Sequence, residues 1–189
     1  MINLDYIIMK KLFSFIALIF FASLFYGCLI FHKISYTINI DKDTTGTATI
    51  LVSDIRSDAS AGSNLEADKK NLFEYIYKSP DFILQMKDEG KTITHRELFL
   101  RGDTLMGKTD FSFRSIYNVE KIQYQDGFYY LTLTLDDSVL TTNGQIIYSK
   151  DHKRILWDKS FKVLKFEMLG YSYNKNEYTL LAPFLFPIK

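Results

Sequence analysis

The chain is short of the residues on which most site chemistry is built. Its 189 residues contain one cysteine, three histidines, one tryptophan and three prolines. A single cysteine excludes an internal disulfide and any site built from several thiolates. His32, His95 and His152 stand far apart, and no spacing joins them to each other or to a nucleophile as a zinc or acid–base motif requires. There is no phosphate-cradling glycine loop, no G-x-S-x-G elbow and no H-E-x-x-H pair. Gly102-Asp103-x-x-x-Gly107-Lys108 lacks the P-loop glycine pattern. Asp41-x-Asp43-x-Thr45-Gly46 opens like a calcium loop, but its twelfth position, which needs a bidentate glutamate, is Val52. Asp136-Asp137, and Asp54 with Asp58, are the candidate acid–base carboxylates, but adjacent acids at a strand end are ordinarily solvated. The expectation is a protein without catalytic residues, metal or cofactor.

A charge of one sign is missing too. The chain has 23 Lys and Arg against 22 Asp and Glu; setting aside Lys10, Lys11 and Asp5 leaves residues 28–189 with 21 of each. Such a balance gives no electrostatic footprint for nucleic acid.

What is present begins with an apolar run. Leu12 to Phe31 reads LFSFIALIFFASLFYGCLIF, twenty residues without a formal charge, behind Lys10-Lys11. At 1.5 Å per residue it is just long enough to cross a hydrocarbon layer of ~30 Å. The basic start, the apolar core from Leu12 to Phe21 and the small residues Gly27-Cys28 also fit a cleaved secretory signal. Both readings keep the lysines inside and put the following domain outside the cytoplasm. The block LFYGC resembles the lipobox of bacterial lipoproteins, with Gly27 before the cut, Cys28 as the modified residue and Phe25 where leucine is usual. That resemblance implies lipid attachment at Cys28, by enough acyl chains for stable anchoring, and a place in the bacterial cell envelope. The chain then divides into a signal or membrane anchor (1–27), a short lipid-linked tether (28–33) and a single domain (34–189).

Within that domain Ile34, Tyr36, Ile38 and Ile40 alternate, a polar turn follows at Asp41–Gly46, and Thr47–Val52 resumes in β-formers: a hairpin. Ser63-x-x-Glu66 reads as a capping box opening a helix to Lys78, with Leu65, Leu72, Phe73 and Ile76 on one face. Ser79-Pro80 stops it, and Asp81–Asp88 reads as a second, shorter helix. Strands are expected at 94–100, 105–116, 128–135, 144–148, 154–157 and 161–168, with Asp126-Gly127 as the strongest turn signal. The apolar tail from Asn176 is expected to dock as an edge strand or cover the core. Hairpin, helices, then meander predict an α+β fold: an antiparallel sheet with one or two helices on one face.

The segment Thr141–Asp158 resembles one found in LppM-like bacterial surface lipoproteins, through Asn143, Gly144, Asp151 and Trp157. The resemblance implies an anchored mixed α/β domain with a role in lipid or glycolipid binding. Two functions follow for test: a noncatalytic envelope lipoprotein in structural or interaction roles, or a binder of lipid or another hydrophobic ligand. The first has the membrane, through the lipidated cysteine or the N-terminal helix, and an envelope protein as its expected partners. The second needs a cavity, for which Phe128, Tyr130, Leu133, Trp157, Phe161, Leu164 and Phe166 are the candidate lining.

Overall fold

The computed structural model describes residues 28–41, 44–170 and 177–186. The apolar run before Cys28, and with it the anchor read from the sequence, lies outside these residues. Two antiparallel sheets and two helices make up the domain. The large sheet has the order β3-β4-β2-β1-β10-β7, formed by β1 (Leu29–Ile40), β2 (Gly46–Ser57), β3 (Lys91–Arg101), β4 (Thr104–Phe113), β7 (Ser138–Thr142) and β10 (Val163–Leu169), and β11 (Thr179–Leu180) adds to β2. The small sheet has the order β5-β6-β9-β8, from β5 (Gln123–Gln125), β6 (Phe128–Leu133), β8 (Gln145–Tyr148) and β9 (Lys153–Asp158). Helix α1 (Gly62–Lys69) runs into a π-helical turn (Lys70–Ile76), and α2 (Pro80–Asp88) follows.

The expected α+β class stands, with differences that have physical reasons. The meander does not form one sheet: β5, β6, β8 and β9 pair only with each other and pack as a second layer. Residues 29–33, read as a tether, belong to β1, where Leu29 pairs with Ser57 and Lys33 with Ser53. The first strand therefore starts at Leu29, five residues before Ile34. Ser63 is not a cap: α1 begins one residue earlier, behind Ala61, with no side-chain cap. The second helix does have one, because Ser79 Oγ accepts from Asp81 N and Pro80 opens the first turn, where its missing N–H is not needed.

Register decides what is buried. Ile34, Tyr36 and Ile38 of β1 share a face with Val52, Ile50 and Ala48 of β2, with Phe111 of β4 and with Leu164 and Phe166 of β10. Part of that face meets the small sheet, in a core that includes Tyr129, Leu131, Ile155 and Trp157. There Tyr36 stacks on Phe166 at 4.5 Å between centroids, and Trp157 lies 5.9 Å from Phe166. A second, smaller cluster holds Ile55, Leu72, Leu105, Leu181 and Ala182, and is covered by α1, the π-helical turn and the C-terminal segment. Side chains of β1 and β2 on the opposite face are mostly polar: Lys33, Ser35, Thr37 and Asn39, with Thr47, Thr49 and Ser53.

The hairpin turn Asp126-Gly127 has φ of +52° and +83°, the left-handed pair that a two-residue connection between Gln125 and Phe128 needs. Asn143 and Gly144 have a packing role. Asn143 Oδ1 accepts from Trp157 Nε1 and from Lys165 N, both at 2.8 Å. A Cβ on Gly144 would lie 2.6 Å from Trp157 Nε1, so only glycine lets the indole sit there.

Leu72 is buried and Leu84 of α2 faces solvent. Leu72→Ala is expected to lower stability by about 2–5 kcal/mol in urea denaturation. Leu84→Ala should change it by no more than about 0.5 kcal/mol; equal effects would take Leu72 out of the core.

Candidate functional site

The end of the large sheet where β1 starts brings Cys28, the C-terminal strand β11, the buried Asp54, Arg56 and Asp68 and an apolar cavity into one region. Cys28 is exposed. Its N–H donates to Asp58 Oδ1 at 2.8 Å, and Asp58 N donates back to the Cys28 carbonyl at 3.1 Å. The residue that precedes the sheet is thus already held by it.

Next along β2, Ser57 is fully buried and is flanked by Leu29 on one side and Thr179 on the other. Its hydroxyl donates to the buried Asp68 of α1, which ties the helix to the strand. Ala59 N donates to Ser57 Oγ at 3.0 Å, and Thr179 Oγ1 donates to the Ala59 carbonyl at 2.7 Å. On the same strand Asp54 and Arg56 form a buried bidentate ion pair, Nε to Oδ1 at 2.9 Å and Nη2 to Oδ2 at 3.2 Å. Asp54 has a φ of +55°, a left-handed conformation within a strand.

Between the π-helical turn and the sheet lies a cavity of about 110 Å³, lined chiefly by Leu29, Phe31, Val52, Ile55, Leu72 and Leu98. Arg96 closes one side. Its guanidinium donates to the carbonyls of Ile76 (2.6 Å) and Ser79 (3.0 Å), fastening the end of the π-helical turn to β3. Burial lowers the Arg96 pKa, yet two carbonyl acceptors suit a cation. The cavity is apolar, half-open and smaller than the ~300–1,000 Å³ of most small-molecule sites.

The aromatic residues singled out from the sequence do not meet around a cavity. Leu133, Trp157, Leu164 and Phe166 are buried in the main core. Tyr130 points the other way, under Arg154, and its hydroxyl reaches Gln123 Oε1 at 2.8 Å. Phe128 is exposed and Phe161 half-buried, on an open recess they share with Gly144 and Leu156. The sequence carries no signal for the residues around this cavity: Leu29 and Phe31 continue the apolar run, and Val52, Ile55 and Leu98 show only strand periodicity.

The histidines stay apart. His95 Nε2 lies 3.6 Å from Glu97 Oε2 on an exposed strand face, outside any cleft. His152 contacts Ser149 in a turn. Asp137 Oδ2 accepts from Thr134 N and Oγ1, which makes it a turn cap. Among the described residues no three His, Cys, Asp or Glu side chains are grouped to hold a metal, and no helix is long and apolar enough to cross a membrane. Asp43 of the calcium-like stretch lies outside the described residues; Asp41 N donates to the Thr45 carbonyl and closes the hairpin.

Burial holds the Asp68 carboxyl above its ordinary range; the Ser57 hydroxyl pulls it down and Asp58 pushes it up. The folded chain then binds this proton more tightly than the unfolded one. Asp68 contributes most below the unfolded value of ~3.9, and that contribution is lost as pH rises through the raised folded value. As pH rises from the unfolded value of ~3.9 through the raised folded value, the urea midpoint of the wild type should therefore fall relative to that of Asp68→Asn. A constant difference would mean that folding leaves the titration of Asp68 unchanged.

Compared with known proteins, the chain matches no family model, no curated protein and no solved structure.

Proposed function

We propose that the protein is a noncatalytic lipoprotein of the bacterial cell envelope, attached through Cys28, whose domain works in structural or interaction roles against the membrane outside the cytoplasm. The observation that carries this reading is the junction at Cys28. The thiol is exposed while the backbone is held by Asp58, and pairing with β2 begins at the next residue. A group on that sulfur would be free of the fold, and the fold would be free of slack. The apolar run ending at Gly27-Cys28, behind Lys10-Lys11, supplies the export signal such attachment needs. The LppM-like pattern agrees with a lipoprotein reading, although Asn143, Gly144 and Trp157 act here by packing.

Binding of a hydrophobic ligand is the second reading, and one observation favours it: the apolar cavity under the π-helical turn. Its size suits a fragment comparable to benzene, which fills an engineered apolar cavity of ~150 Å³. A whole lipid needs far more. The first reading is therefore preferred.

Full-length protein made in a bacterial host should yield a mature chain that begins at Cys28 and carries acyl chains, seen as intact mass and in the N-terminal peptide. Cys28→Ala should keep residues 1–27 and lose the added mass. A wild-type chain that retains residues 12–27 would replace lipidation with a membrane-spanning anchor.

A further inference from the structure

The end of the sheet that holds Cys28 also carries exposed apolar side chains. Leu180, Phe184 and Phe186 are 38%, 36% and 71% exposed. Lys69 lies 4.3 Å from the centroid of the Phe184 ring and is ion-paired with Glu66 at 2.6 Å, while Lys70 beside it is exposed. Strand pairing fixes where this rim sits. Ser57 lies between Leu29 and Thr179, so β1 and β11 are two strand spacings apart, about 10 Å. Asp68, the neighbour of Lys69, is hydrogen-bonded to the same Ser57. Rim and Cys28 belong to one end of one sheet.

We propose that this rim is a second contact with the lipid bilayer, in which Leu180, Phe184 and Phe186 enter the boundary between headgroups and acyl chains while the exposed Lys70 faces the headgroups. The inference rests on the reading that the chain up to Cys28 holds the protein in the membrane. The route of the chain favours a bilayer over a protein partner. Sixteen residues without a charge, 12–27, lead to Cys28, and from Leu29 onward the chain is paired in the sheet. Without a flexible linker the domain cannot swing away from its point of attachment. Side chains on β11, two strand spacings from the start of β1, and on the turn that follows it are then held near the interfacial zone, which amphipathic segments enter to ~5–10 Å. Phenylalanine and leucine beside lysine is the composition that such a zone takes.

The test uses the full chain in vesicles of phosphatidylcholine and phosphatidylglycerol, with and without bromine on the acyl chains as a contact quencher. The native Trp157 is buried and serves as an internal reference. Phe186→Trp adds a reporter on the rim, and Phe184→Trp a second one should the first disturb the fold. Tyr117→Trp adds one just beyond Phe113, which pairs with Gly46 at the other end of a twelve-residue strand pair about 40 Å long. Brominated lipid should remove about half of the added rim emission, as for a ring seated at the boundary. The emission of Tyr117→Trp and of the wild type should not change. If the protein stays with the vesicles and neither rim reporter is quenched, the rim faces water or a protein, and the inference is overturned. Full chain left in the supernatant would overturn the anchoring reading and this contact with it.

Discussion

The antiparallel pairing of β1 with β2 is the constraint on which the rest of the structure depends. It runs in one register from Ile40 opposite Gly46 to Leu29 opposite Ser57. A slip of one residue would turn Ile34, Tyr36 and Ile38 from the core to the polar face. The same ladder gives β4 and β10 their places on either side, and through β10 it places β7. Because the pairing continues to the residue after Cys28, it also decides how far the domain can stand from whatever holds that residue. One set of backbone hydrogen bonds thus fixes both the core and the position of Cys28.

The ladder is regular in register but not in side-chain direction. Val52 and Ile55 both pack in the second cluster although three residues, not two, separate them. The left-handed Asp54 lies between them. That conformation costs a non-glycine residue about 1–2 kcal/mol. The conformation holds the carboxylate in its bidentate pair with the buried Arg56, which would be broken if Asp54 turned back. A buried pair of this kind adds little stability in itself, but removing one member strands the other charge. The turn at Asp54 is what divides one sheet face into two packing regions, one under the small sheet and one under the helices.

Much of the fold was legible in the sequence. The β1–β2 hairpin, the helical face of Leu65, Leu72 and Phe73, the second helix and the Asp126-Gly127 turn all rest on local periodicity or turn chemistry. β5, β7 and β11, of three, five and two residues, are too short for a period to show. The split into two sheets was not legible, because it depends on which strands pair across long separations. The strand start was hidden for another reason. Leu29, Ile30 and Phe31 continue the apolar run without a change in polarity, so hydropathy cannot tell the end of a membrane segment from the start of a buried strand. The proposed cavity lining contained an internal contradiction that the sequence could have revealed. Tyr130 and Leu133 are an odd number apart on one strand and cannot share a face.

Stability and deformability are distributed unevenly between the two packing regions. The main core, with Trp157 and Phe166 at its centre, is filled and lies toward the small sheet. The second region has a cavity, a π-helical turn, the buried ion pair and the buried Asp68 carboxyl. Each of these lowers local packing or raises the cost of burial, and together they mark the part of a domain that opens most easily. Ser57 is the residue through which this region is joined, since β1, β11 and α1 all meet it. A force or contact at Cys28 acts first on Leu29 and Phe31, which line the cavity, and only then on the filled core. The less tightly packed region therefore lies next to Cys28, in a cluster separate from the filled packing around Trp157 and Phe166.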